Sequence, residues 1–176
     1  MAANAVASQI VQLEQFVKSK LIGIYIAMDG ELDTGPIIHV ADALNKNLYL
    51  PVLQHKELHE AQVLEFHPYK LGEDLSKNRI GFREPRIKNR SPIDPRLLDL
   101  VIIPLVAFDK NCNRLGRGAG HYDRTFEFLG EKNFNKLNKP FLLGLSYEFQ
   151  LISEIKPSSW DIPLHMVITD QTIYAP

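Results

Sequence analysis

Cysteine is nearly absent from this 176-residue chain, where Cys112 stands alone. One thiol can neither close an internal disulfide nor build a cysteine-based zinc site, and its place beside a polar turn makes it a poor nucleophile. Net charge is nearly absent as well, since 20 Lys and Arg face 21 Asp and Glu to give −1. No global field therefore draws the chain to nucleic acid or to an anionic membrane, although a local basic pocket can still hold a small anion. No run reaches the roughly 18 apolar residues that a membrane helix needs. The opening MAANAVASQIVQLEQF has neither the basic start nor the long apolar core of a signal peptide, so the expected location is the cytoplasm. Internal repeats, low-complexity segments and a convincing Ser-His-Asp or Cys-His set are also missing. With 45% hydrophobic and 23% charged residues, the composition is that of one globular domain with a proper core, spanning residues 1–176.

What the chain does have is one informative stretch. Leu100 to Phe108 is a nearly unbroken apolar run, the pattern of a strand buried on both faces of a parallel sheet. A turn follows over Asp109 to Asn113, and then glycine occupies every second position at Gly116, Gly118 and Gly120. Tyr122 and Asp123 come next, and TFEFL reads as the opening of a helix with Asp123 near its first turn. Strand, glycine loop and helix start together build an anion pocket from backbone N–H groups and the positive end of a helix. Arg114, Arg117 and Arg124 surround it with positive charge. The spacing fits neither G-x-x-x-x-G-K-[ST] nor G-x-G-x-x-G. A turn needed only for chain geometry is the plainer reading. Three arginines and an aspartate within eleven positions favour a phosphate site with a metal-binding carboxylate.

Taken in order, Ser8 to Ser19 carries Ile10, Leu13, Phe16 and Val17 as the stripe of an amphipathic helix. Leu21 to Met28 reads as the first buried strand, followed by DGELDT with Asp29, Glu31 and Asp33 at its carboxyl end, the ligand edge of an open α/β sheet. Asp33 or Thr34 suits the cap of the next helix, Pro36 to Lys46. Asn47 to Leu53 is the second strand. His55 and His59 are spaced to share a helix face and bind metal, but QHKELHEAQ around them reads as an exposed connection. Val63 to Tyr69 is a short strand, LGEDLSKNRIGFREP a loop with one helical turn, and Ile87 to Arg96 a polar surface segment. The helix from Tyr122 to Leu129 is expected to continue toward Phe134, with Lys132 to Lys139 loose. Phe141 to Tyr147 and Leu164 to Thr169 complete the strands. This alternation predicts a three-layer α/β domain with a largely parallel sheet.

The segment PLVAFDKNCNRLGRGAGHYDR closely resembles the signature of the 5-formyltetrahydrofolate cyclo-ligase family, P-x-x-A-F-D-x-x-G-x-R-L-G-x-G-x-G-[YFH]-Y-D-R. Pro104, Ala107, Phe108, Asp109, Arg114, Leu115, Gly116, Gly118, Gly120, Tyr122, Asp123 and Arg124 match it. Asn113 or Cys112 stands where a turn glycine is expected, and asparagine tolerates turn geometry nearly as well. The likeness extends to ELDT, to FHPY, to GLSYEFQ and to Asp161, covering roughly Ala7 to Thr169. It implies a Rossmann-like three-layer fold, a monomer, and a small-molecule folate substrate used with ATP and Mg2+. In the implied reaction ATP phosphorylates the formyl oxygen of 5-formyltetrahydrofolate, N10 attacks the activated carbon, and loss of phosphate gives 5,10-methenyltetrahydrofolate.

The resemblance also implies roles for single residues. Arg114, Tyr122 and Asp123 would be catalytic. Arg114, Leu115, Gly116, Arg117, Gly118, Ala119, Gly120, His121 and Tyr122 would hold the nucleotide. Glu31, Phe66, Tyr69 and Tyr122 would line the folate site, although the residues alone read Phe66 as core, and Asp123 and Asp161 would serve magnesium. For Asp161 the residues alone also allow a turn cap, and Arg124 equally suits a structural pairing with Asp109 or Asp123. One departure stands out: the family begins with a helix bearing K-x-x-x-R, whereas only Lys18 and Lys20 precede the first strand here. A nucleotide- or folate-binding homologue without cyclo-ligase activity is the competing expectation.

Overall fold

The computed structural model describes residues 1–53, 63–78, 81–86, 90–130 and 139–176. Two short helices open the chain, α1 (Ala2–Ile10) and α2 (Glu14–Lys18), where the apolar stripe predicts a single helix over Ser8 to Ser19. The break lies at Leu13, which is extended at φ −72° and ψ 133°. Breaking there lets Ile10 and Phe16 both bury fully while Val17 turns to solvent. β1 (Leu21–Gly23) follows, and Ile24 N–H still reaches the Tyr49 carbonyl at 2.9 Å, so regular pairing ends well before Met28. α3 (Gly35–Ala43) begins with Pro36 in its first turn. Asp33 Oδ1 accepts from Gly35 N–H, while the Thr34 hydroxyl donates to the Tyr25 carbonyl rather than capping the helix.

β2 (Asn47–Leu53) has the predicted bounds, and β3 (Leu64–Tyr69) runs antiparallel to it. Between residues 75 and 85 the structure has a hairpin, β4 (Leu75–Lys77) with β5 (Arg83–Pro85), in place of the expected helical turn. Glu84 explains its position: Oε1 accepts from Leu53 N–H at 3.0 Å and from Asn78 Nδ2 at 2.7 Å, which ties the hairpin to the end of β2. The central strand β6 (Leu100–Pro104) leads into a small hairpin, β7 (Ala107–Phe108) with β8 (Arg114–Leu115). α4 (His121–Thr125) stops after five residues and gives way to a 3-10 turn over Glu127–Gly130, so the expected helix from Tyr122 to Leu129 is shorter and kinked. β9 (Phe141–Leu145), β10 (Met166–Ile168) and an unforeseen β11 (Ile173–Tyr174) finish the chain. The expected extension toward Phe134 and the His55/His59 pair lie outside the described residues.

The seven-stranded sheet has the order β11-β10-β9-β6-β1-β2-β3. Only its two edge pairings, β10 with β11 and β2 with β3, are antiparallel. The four inner ones are parallel, so the sheet is largely parallel as expected. Side chains alternate across it. Leu100 and Ile102 of β6 join one core with Val6, Ile10, Phe16, Ile37 and Ala41 from the helices, while Val101 and Ile103 join a second with Phe66, Phe108, Phe126 and Phe128. Helices and turns on both faces make the three-layer Rossmann-like α/β architecture. Among the described residues no helix is long and apolar enough to cross a membrane.

Candidate active site

From β1 the chain moves outward to β2 and β3, then returns to place β6 on the other side of β1. That reversal is a topological switch point, where ligands settle beyond the carboxyl ends of the strands. A cavity of about 1600 Å³ lies there. Its walls come from Tyr25 to Glu31 after β1, Pro104 to Val106 after β6, the glycine loop, the 82–84 side of the hairpin, and Ser159 to Ile162. Pockets that hold one drug-sized ligand measure roughly 300–1,000 Å³, so this cavity exceeds what a single such ligand needs and has room for two side by side.

The glycine loop separates its two readings residue by residue. Gly118 and Gly120 have φ of +91° and +62°, a left-handed backbone that glycine adopts freely. Chain geometry accounts for those two. Gly116 has no such φ, and a Cβ built on it would meet no atom of the described residues within 4 Å. Nothing among the described residues demands glycine there, and the missing side chain leaves the backbone open toward the cavity. Leu115, Arg117, Ala119 and His121 also line the cavity. Arg124 donates to the Ala119 carbonyl, closing the loop onto α4. Burial, then Arg124, pushes the His121 imidazole below its usual value. In the turn before the loop, Cys112 is the left-handed residue at φ +60°. It therefore occupies the position where the signature has glycine. It is fully buried, its thiol donates to the Tyr174 carbonyl at 3.4 Å, and burial pushes its pKa up to about 11.

Arg114 and Asp123 face each other across the loop. Arg114 Nη2 meets Asp123 Oδ1 at 2.6 Å, and Nη1 donates to the Ile162 carbonyl. The arginine side chain is only 7% exposed and the aspartate 20%. Ile162 N–H donates to the same Asp123 oxygen at 3.1 Å. Three segments are thus pinned together: β8, α4 and residues 158–162. In the last, Ser158 N–H donates to Asp161 Oδ2 at 2.8 Å, so Asp161 does cap a turn. That turn presents Trp160, largely exposed, at the cavity wall. Among the described residues no group of three or more His, Cys, Asp or Glu gathers to hold a metal. Mg2+ arriving with phosphates keeps several waters and asks for only one or two carboxylates. Asp123 and Asp161 both line the cavity, and each has one oxygen accepting no hydrogen bond among the described residues, which fits that smaller demand.

Glu31 stands on the opposite wall. Its Oε2 accepts from Met28 N–H at 2.9 Å, and Arg117 Nε lies 3.5 Å from Oε1. The Tyr122 phenol is pushed up first by burial and then by Glu31, with Arg114 opposing. Tyr25, whose hydroxyl donates to the Leu32 carbonyl, is raised by the same two causes. Both phenols stay protonated at neutral pH, and a protonated Tyr122 is a hydrogen-bond donor. Phe66 and Tyr69 do not join this group. Phe66 is fully buried in the core, its ring 5.9 Å from Phe126, and Tyr69 packs against the core on the other face of the sheet. Alternation along β3 explains this, because the strand points Phe66 inward under Gly23 rather than toward the strand ends. Arg124 pairs with neither Asp109 nor Asp123 by any ion pair, and its guanidinium instead reaches a carbonyl.

A model of the 5-formyltetrahydrofolate cyclo-ligase family matches residues 1–170. The chain belongs to that family. It is 34% identical over 168 residues to the 5-formyltetrahydrofolate cyclo-ligase of Haemophilus influenzae, covering 95% of this chain and 84% of that protein. The enzyme of that name from Escherichia coli K12 is 33% identical over 168 residues, covering 96% and 87%. The solution structure of 5,10-methenyltetrahydrofolate synthetase from Aquifex aeolicus superposes with a TM-score of 0.75 at 26% identity, over 98% of this chain and 80% of that one. A synthetase from Mycoplasma pneumoniae has a TM-score of 0.70 at 19% identity, over 97% and 85%, which supports the fold alone.

As a cyclo-ligase family member, the chain gathers Glu31, the glycine loop, Tyr122, Asp123 and Asp161 around one cavity. Other lining residues escape a reading by motif. Tyr25 lies inside the first apolar run, and its side of that run is settled only once β1 ends at Gly23. Phe82 and Glu84 reach the cavity through the unforeseen hairpin. Gln150 arrives by bonding: its Nε2 donates to the Val106 carbonyl at 2.8 Å, and its Oε1 accepts from Ser146 Oγ and Tyr147 N–H. The GLSYEFQ likeness did mark that segment.

Proposed function

We propose that this chain is an ATP-dependent ligase that converts 5-formyltetrahydrofolate to 5,10-methenyltetrahydrofolate, releasing ADP and phosphate. The observation carrying this reading is that one cavity, large enough for two ligands, has an open glycine loop on one wall and Glu31 on the other. An amide oxygen is a poor leaving group, and phosphorylation makes it a good one. The formyl oxygen attacks the γ-phosphorus as the bond to ADP breaks. N10 then attacks the activated carbon and loses its proton, and the carbon–oxygen bond breaks to release phosphate.

Such phosphoryl transfer needs positioning and charge neutralisation more than a protein nucleophile. Backbone amides of Gly116 to Gly120 would hold the phosphates, with Arg117 beside them. Tyr122, kept protonated, donates to an oxygen that gains charge. Arg114 is enclosed, and its part is to set Asp123 and the 158–162 turn. Mg2+, held through Asp123 and Asp161, would neutralise phosphate charge. Glu31 accepts N–H groups of the folate ring.

The test uses purified protein with Mg2+, ATP and 5-formyltetrahydrofolate, following the ultraviolet absorbance of the methenyl product. ATP-dependent product is expected, and Asp123→Asn should abolish it while its circular dichroism stays that of the parent. Mg-ATP binding without product would favour a nucleotide-binding homologue that has no turnover.

A further inference from the structure

Arg117 starts on the glycine loop and ends on the opposite wall. Its Nε lies 3.5 Å from Glu31 Oε1, and its Nη2 donates to the Asp29 carbonyl at 3.1 Å. The two partners are unequal. The Glu31 side chain is only 9% exposed and its second oxygen is fixed by Met28 N–H, whereas Arg117 is 49% exposed on a long, flexible stem. An ion pair of that length and exposure is weak, and the arginine is the member free to leave it. Both charges face ligands of opposite kinds. Phosphates on the loop amides compete for the guanidinium, and N–H donors of a folate ring compete for Glu31 Oε1.

We infer that Arg117 is a positioning residue that couples the two halves of the cavity. It occupies Glu31 in the ligand-free chain and releases it when phosphates draw the guanidinium back onto the glycine loop. The inference rests on the proposed function, which puts nucleotide on the loop and folate at Glu31. Nucleotide then tightens folate binding, and by reciprocity folate tightens nucleotide by the same factor.

Removing the arginine separates this role from direct ligand contact, because the two change folate affinity in opposite directions. 5-Formyltetrahydrofolate is titrated calorimetrically into the full chain with Mg2+, with and without the β,γ-imido analogue of ATP. In the parent the analogue should tighten folate binding by about fivefold or more. Arg117→Met should bind folate without the analogue at least as tightly as the parent binds it with the analogue, and should show no further gain. Arg117→Lys keeps the charge without the planar fork and should recover part of the coupling. Thermal melts establish that each variant is folded. Weaker folate binding by Arg117→Met, or undiminished coupling, overturns the inference. Binding and coupling without any product would remove the enzymatic reading and leave this one standing. If neither ligand binds the parent chain, the proposed function fails and the inference falls with it.

Discussion

Gly116 shows how one residue can decide between two explanations of a motif. Gly118 and Gly120 earn their place through positive φ, so replacing either strains the backbone whatever binds there. Gly116 carries no such constraint, and a methyl group added to it points into open space. Gly116→Ala should therefore leave thermal stability within about 0.5 kcal/mol of the parent. A methyl group between the amides and a phosphate should misplace the reacting atoms and raise the KM for ATP, or lower turnover, by at least about tenfold. An unchanged KM and turnover would make the glycine a matter of chain geometry after all. The motif was legible because amide, arginine and carboxylate chemistry is written locally, in eleven consecutive positions. Phe66 was legible as a core residue from its apolar character alone, and only the family likeness moved it to the folate site, because the register of the strand pairing that turns its ring inward leaves no local pattern.

Elements were legible where one period persisted. β2 runs from Asn47 to Leu53 as its apolar pattern predicts, and α3 keeps Ile37, Ile38 and Ala41 buried on one side. The N-terminal stripe misled because Ile10, Leu13, Phe16 and Val17 satisfy a helical period across a break that only tertiary burial of Phe16 reveals. The β4–β5 hairpin is held by Glu84 to Leu53 N–H, a partner 31 positions away, and so leaves no periodic trace. β9 contains a subtler feature. A Cβ on Gly144 would lie 2.5 Å from Leu164 Cδ1 and 2.9 Å from Leu105 Cδ2, so this strand interior needs hydrogen where its neighbours carry leucine. Gly144→Ala should overpack the second core and cost about 1–3 kcal/mol in urea or thermal unfolding. No loss of stability would mean that Leu105 and Leu164 can repack freely around an added methyl.

Two aspartates brace the sheet at its opposite ends, and both contribute to how the folded chain responds to acid. Asp99 Oδ2 accepts from Lys20 and Leu21 N–H at 2.8 and 2.9 Å, and Lys139 donates to Oδ1, joining the starts of β1, β6 and β9. Asp109, almost fully buried, accepts from Asn111 N–H at 2.9 Å, from Asn113 N–H and Nδ2 at 3.0 Å, and from Ile155 N–H at 2.9 Å. Burial alone would raise both carboxyls. The Lys139 and backbone contacts outweigh it for Asp99, and the Asn113, Ile155 and Asn111 contacts outweigh it for Asp109, so both lie below their usual 3.8. A carboxyl depressed by folding contributes stability that is complete above its unfolded value and is lost as pH falls through the lower folded one. Melting temperature should therefore be steady down to about pH 5 and fall steeply below about pH 4. Asp109→Asn keeps the shape but puts an NH2 or a weaker acceptor against four N–H donors. It should cost about 2 kcal/mol or more near neutrality, with less of its remaining stability lost on acidification. Parallel melting curves of parent and variant across the acid range check both halves of this prediction. An equal slope in the two proteins would assign acid sensitivity to other carboxylates and reduce Asp109 to a turn former. The steeper slope expected of the parent makes the buried turn before the glycine loop a joint that depends on the charge of Asp109.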